Sequence, residues 1–249
     1  MNKLSLREKA ILTGLYLSKF NSEGMSQLGF SSYSEAFNIL GHALGARPAS
    51  VKNYRDEFDP LFPNERKGWH KRPIREYCKA VYDRFNDLNL EEFTRMLKEV
   101  VYKDHAVDVL METVDREEGA EEGAFARRLL TGQAAEEYFK RKYKDIEGFV
   151  GFEIEDTTRL GCGFDFRLVA PDAFYVVEVK GLSEMSGSIT LTEKEHSVSG
   201  ILRNLYFLFV VKNFREEPFH QIYRDPLAGA LIFDQVERET VERTWVARV

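Results

Sequence analysis

The 249-residue chain is poor in the features that would fix its class at once. It has only two cysteines, Cys78 and Cys162, far apart and with no zinc-ligand spacing around either. That excludes a disulfide scaffold and a cysteine-based structural zinc site, and it fits a reducing cytoplasm. The longest uninterrupted apolar run, residues 205–211, falls far short of the ~20 residues that a membrane helix needs. Residues 10–17 follow Lys3, Arg7 and Lys9, but Glu8 breaks the basic head, so an amphipathic helix explains this run better than a signal peptide. No internal repeat or low-complexity tract occurs. Nor is positive charge in excess: 35 Lys and Arg face 41 Asp and Glu, a net charge of −6. The deficit is uneven, since residues 1–100 hold 16 basic against 13 acidic side chains and the remainder 19 against 28. Attraction to a polyanion therefore rests on the first part and on any bound cations. The length suits one large or two modest domains with a real core.

What is present centres on residues 161–180, GCGFDFRLVAPDAFYVVEVK. Residues 164–169 and 174–179 are aromatic and β-branched, and Ala-Pro-Asp-Ala between them reads as a hairpin connection. Side chains two apart on a strand share a face, so Glu178 and Lys180 point one way while Val177 and Val179 point the other. Buried carboxylates need protonation, a charge partner or a cation. Asp165 and Glu178 together suit magnesium, which uses one or two carboxylates and completes its shell with water and phosphate oxygens. A lysine beside such an ion can hold the attacking water or the charge that develops on phosphorus.

These residues resemble the PD-(D/E)xK nuclease superfamily, with Phe164 where the family name has proline. Glu65-Arg66-Lys67 also fits a bare Glu-x-Lys, but it lies among Pro63, Asn64 and Gly68 with no apolar strand to hold it. Context decides between them. Gly181, a polar loop, residues 189–195 and the apolar run 205–211 follow Lys180, and over roughly residues 124–215 the chain is similar to the C-terminal domain named after the plant protein NO VEIN. That branch also occurs in bacterial restriction systems. The resemblance implies an α/β fold with a restriction-endonuclease-like αβββαβ core. It further implies that Asp165 and Glu178 bind magnesium, for which manganese can substitute, that Lys180 handles water and charge, and that Glu136 from the leading helix assists.

The helical pattern supports the last assignment. Phe125, Leu129, Gly132, Glu136, Phe139 and Tyr143 recur by three and four, which leaves Glu136 as the carboxylate on an otherwise apolar face; a boundary residue paired with an arginine is the alternative. Glu137 is turned away. Strands are expected at 149–154 and, as the closing strand, at 205–211, with a further candidate at 230–233. Thr192-x-x-Glu195 reads first as a capping box and second as a catalytic residue. His196 is a possible DNA contact.

The first part reads as helices. Leu6 to Phe20 marks one that ends before Asn21-Ser-Glu-Gly24. Ser32-x-x-Glu35 is a capping box opening the next, which carries Ala36, Phe37, Leu40 and Leu44 inward and stops at Gly45. Pro48 opens a third, with Val51, Tyr54 and Phe58 inward and Lys52, Asn53 and Arg55 outside. Two short helices with a basic outer face on the second resemble a helix-turn-helix; a plain helical hairpin is the alternative. Arg66, Lys67, Lys71 and Arg72 surround Trp69 and His70 in a loop suited to phosphate contacts, or simply to solvent. Two more helices follow, around Ile74 to Phe85 and Leu90 to Val100.

The resulting expectation is a helical DNA-binding domain over residues 1–118 and a nuclease domain over 119–249, with the boundary near Gly119. Together they would form a magnesium-dependent restriction endonuclease, a hydrolase acting on double-stranded DNA, with a homodimer matching the two-fold of a duplex site. A non-catalytic binding or scaffold module and a repair or RNA-directed nuclease are the rivals.

Overall fold

The computed structural model describes residues 4–66, 72–102, 122–229, 231–237 and 247. The boundary expected near Gly119 lies outside them, as do Lys67, Trp69, His70, Lys71 and Ala230.

Among the described residues five helices come first: α1 (Leu6–Gln27), α2 (Tyr33–Ala43), α3 (Pro48–Phe58), α4 (Glu76–Phe85) and α5 (Leu90–Val101). A long helix α6 (Glu122–Lys142) follows, then strands β1 (Glu153–Asp156), β2 (Phe166–Ala170) and β3 (Ala173–Gly181), helix α7 (Glu193–Leu202), and strands β4 (Tyr206–Lys212) and β5 (Phe219–Arg224). The sheet order is β1-β2-β3-β4-β5, antiparallel except for the parallel β3–β4 pair. The chain thus has a helical N-terminal region and a mixed α/β part with the αβββαβ succession of a restriction-endonuclease-like core, extended by β5.

Several expectations shift by a few residues, each for a local reason. α1 is interrupted at Asn21, where the first helix is expected to end and where φ of 51° and ψ of −133° are not helical, and a second helical segment continues it to Gln27. Ser32 does cap α2, accepting from the Glu35 N–H at 3.2 Å, but the box is not reciprocal. The Glu35 carboxylate instead takes the Ser31 N–H and hydroxyl at 3.0 and 2.9 Å. Residues 149–151 are turn rather than strand, because Gly148 and Gly151 carry φ values of +90° and +86°. Phe149 is nevertheless fully buried there, edge-on to Phe139 and Phe207. The run 205–211 supplies β4, which is not the closing strand: it lies between β3 and β5. The closing strand is β5, and residues 231–233 form none.

The core passes from the helical region into the sheet through α6. One apolar side of α6 packs on the sheet, with the Phe139 ring 5.1 Å from Phe166 and 4.9 Å from Phe209. Its other side meets the N-terminal helices: buried Gln133 donates to Ala43 O and Val101 O, both at 2.9 Å. Asn38 of α2 likewise donates to Phe214 O and Glu216 O at 2.8 Å. Burying an amide without partners costs more than the bonds return, so these links fix α2 and α5 against α6, and α2 against the segment after β4.

α6 approaches the sheet closely at Gly181, where β3 ends. A Cβ there would stand 2.6 Å from Thr131 O and 3.1 Å from Ala135 Cβ. We predict that Gly181→Ala destabilises the fold by about 1–3 kcal/mol, the usual cost of overpacking. Chemical denaturation would measure it, and an unchanged midpoint would show that α6 can back away freely.

Candidate active site

Register alone brings two carboxylates together. Phe166 pairs with Val177 across the β2–β3 ladder, so Asp165, one residue earlier, falls opposite Glu178. Residues directly opposite in an antiparallel pair share a face. The Asp165 N–H donates to Val177 O at 3.0 Å, and the Asp165 carboxylate accepts the Val179 N–H at 2.8 Å. Lys180 returns to the face of Glu178, and its ammonium lies 2.6 Å from Glu178 Oε1. On the opposite face, Val177 and Val179 are buried in the core that α6 covers.

Two glycines then set how closely the helices approach. Gly181 lets α6 come in on the side of Val179. Gly163, with φ of +93°, lets the turn before Asp165 lie on α7, since a Cβ there would be 2.9 Å from Val198 Cγ2. Glu195 of α7 reaches Lys180 at 2.8 Å. The same carboxylate oxygen accepts the Thr192 N–H at 2.9 Å, and Thr192 Oγ1 accepts the Glu195 N–H at 3.2 Å. Glu195 is therefore a capping residue and a site residue at once. Beneath the cluster, buried Tyr206 donates to Gly163 O at 3.1 Å.

The result is a cleft of about 370 Å³ lined by Asp165, Glu178, Lys180, Glu195 and, from α6, Glu136. Glu136 thus meets the site as expected of its place on α6. Glu137 turns aside to Lys140 at 2.5 Å.

Four carboxylates against the Lys180 ammonium and the Arg128 guanidinium, which lines the same cleft, leave an excess of negative charge. Burial, reinforced by Glu136, pushes Asp165 up to about 7, against the Val179 N–H and Lys180, which pull it down. Burial and the facing Asp165 push Glu178 up to about 9. Burial works against the Lys180 charge, but Glu178 and Glu195 outweigh it and raise the group, so the ammonium stays protonated. Burial, then the same carboxylates, raise the Tyr206 phenol, which keeps it a donor. Hard oxygen donors with surplus negative charge fit a hard divalent cation. Among the described residues no group of three or more His, Cys, Asp or Glu side chains forms a ready cage. An ion held by Asp165 and Glu178 would thus complete its shell with water or substrate oxygens, as magnesium does.

The expected DNA-binding residues are treated unequally. Lys52 and Asn53 are exposed on α3. Arg55, expected outside, is buried: it pairs with Asp56 at 2.6 Å and Asp59 at 3.7 Å and lies over the rings of Tyr33 and Phe37. Arg66 bonds Asp59 at 2.6 and 3.0 Å as well as Asn21 and Tyr33, and Arg72 holds Glu57 at 2.5 Å. Asp59 and Glu57 are both buried, so these arginines supply countercharge that burial makes obligatory. The expectation of a wholly outward basic loop is corrected for Arg66 and Arg72; Lys67 and Lys71 lie outside the described residues. His196 is exposed, its ring 6.2 Å from that of Phe233.

The family model described as "Protein NO VEIN, C-terminal" matches residues 135–224, a stretch that contains Glu136, Asp165, Glu178, Lys180, Glu195 and Tyr206. That family is associated with PD-(D/E)xK-like nucleases. No curated protein and no solved structure is detectably similar to the chain. No helix among the described residues is long and apolar enough to cross a membrane.

The raised carboxylates have a consequence for stability. The folded protein holds protons on Asp165 and Glu178 that the unfolded chain has released, so stability is greatest below the unfolded values near 4 and is lost as pH rises through about 7 and 9. Without divalent cations, the unfolding free energy should fall across pH 5–9 by up to about 1.4 kcal/mol per pH unit for each such proton. Glu178→Gln should flatten that slope. Denaturation at several pH values in chelator would check it; stability that rises through this range would contradict the cluster's charge balance.

Proposed function

We propose that the chain is a magnesium-dependent endonuclease that hydrolyses phosphodiester bonds in double-stranded DNA, of the restriction type. The observation that carries this reading is the convergence of Asp165, Glu178 and a protonated Lys180 in one cleft whose negative charge calls for a cation.

Asp165 and Glu178 would hold the magnesium ion, with manganese able to replace it. Such an ion supplies the charge that polarises the scissile phosphate and lowers the pKa of an attacking water. The chain's own contributions follow from the geometry. The Val179 N–H fixes one oxygen of Asp165 and leaves the other to the cleft. Lys180, kept charged by Glu178 and Glu195, can donate to the phosphoryl oxygens as negative charge accumulates on them in the transition state. A permanently protonated lysine is a poor base, so its role is charge stabilisation. Glu136 adds an acceptor on the opposite wall, suited to orienting water.

The helical region supplies the exposed candidates Lys52 and Asn53 on α3 for duplex binding, with Lys67 and Lys71 as further candidates. A single cleft cuts one strand at a time, so double-strand cleavage at a symmetric site calls for a homodimer. One observation favours a second reading, a nuclease-like module that binds without cutting: Lys180 is already clamped by two carboxylates.

Kinetics separate the two. The protein should cut a mixed DNA pool with magnesium or manganese and not in excess chelator. Lys180→Ala should retain DNA binding while single-turnover cleavage falls by about 10²–10³, the usual loss for one transition-state electrostatic group. Equal low rates in wild type and Lys180→Ala would leave only the binding module. Sequence choice is read separately. Substitution of Lys52 and Asn53 by alanine should change preference among sites by roughly 1–3 kcal/mol for each base edge no longer read, whereas uniform weakening on all sequences would reduce α3 to a phosphate-binding element.

A further inference from the structure

One wall of the cleft enters the chemistry above only through Glu136. Arg128, Gly132 and Glu136 stand four residues apart on α6 and line the same cleft, so they form a single stripe about 12 Å long at 1.5 Å per residue. The loop after β3 lines the cleft as well, through Ser188, Ile189 and Thr190.

Gly132 is the anomaly in this stripe. Glycine is the least favourable residue after proline in a helix interior. In α1 and α2 crowding accounts for it: a Cβ on Gly14 would stand 2.5 Å from Tyr54 Cβ, and one on Gly41 2.7 Å from Pro48 Cα. A Cβ on Gly132 would meet nothing within 4 Å. No neighbour among the described residues asks for a glycine here, yet the position faces the cleft one helical turn before Glu136.

We propose that Arg128 and Gly132 form a phosphate subsite that extends the cleft along α6. The bare helix surface at Gly132 admits a sugar–phosphate strand at close range, and Arg128 takes a backbone phosphate further along that strand from the scissile one. An arginine's planar fork matches phosphate oxygens bidentately, and Ser188 and Thr190 offer hydroxyl donors from the loop after β3. The proposal rests on the nuclease reading, because its ligand is the strand that the cleft would cut.

The test is salt-dependent binding of a labelled DNA duplex, followed by fluorescence anisotropy in a Lys180→Ala background so that the probe stays intact. Arg128→Ala should weaken binding at least about tenfold, the scale of a charged hydrogen bond. It should also make the slope of log K against log salt shallower by about 0.9, the value for one neutralised phosphate. Gly132→Leu should weaken binding with little change in slope. Gly132→Ala should raise the melting temperature and serves as proof that the helix tolerates a side chain. If the parent binds and both Arg128→Ala and Gly132→Leu bind as it does with the same slope, the subsite is overturned while the nuclease reading stands. If the parent binds no nucleic acid at all, the nuclease reading falls, and the subsite with it.

Discussion

The close approach of α6 to the end of β3 is the constraint on which the rest of the molecule depends. It is possible only because residue 181 lacks a Cβ, with Thr131 O and Ala135 filling the space a side chain would take. Seated there, α6 covers the valine face of β3 and sends Phe139 between Phe166 and Phe209. With its other flank it receives α2 and α5 through Gln133. A larger residue at 181 would move the helix that joins the helical region to the sheet. It would also move Glu136, which that helix carries into the cleft.

The site itself is a problem of charge. Antiparallel register forces Asp165 and Glu178 onto one face, and burial makes their coexistence as two anions costly. Lys180 relieves part of that cost, but Glu195 claims the same ammonium, and the cluster stays negative. A cation held there would offset that excess of charge, which links the energetics of the fold to the function proposed for it. The helical region solves a comparable problem internally: Asp59 and Glu57 are buried, and Arg55, Arg66, Arg72 and Arg75 are drawn in to neutralise them. Arginines that look like a nucleic-acid surface in the sequence are in good part the countercharge of the core.

Much of this architecture was legible in the sequence by itself. The aromatic and β-branched content of 164–169 and 174–179, with Ala-Pro-Asp-Ala between them, gave the hairpin, strand periodicity gave the shared face of Glu178 and Lys180, and a four-and-three spacing gave a helix with Glu136 turned toward the site. Such signals are local: a period of two or 3.6 residues records which side of an element is buried. Residue 165 and residue 178 could be paired because they flank a single short turn.

Only the tertiary structure decided the remainder, because it concerns partners distant in the chain. Nothing in Thr192-x-x-Glu195 distinguishes a cap from a cap that also grips Lys180, since the second role exists only once α7 is laid against β3. The outward position expected of Arg55 failed because the pull of buried Asp59 and the rings of Tyr33 and Phe37 has no period. β5 was missed because its exposed and half-buried residues alternate too weakly to announce a strand, and it is held by pairing with β4 instead. The open space above Gly132 is a property of the cleft, not of the helix, and a sequence has no way to write down empty space.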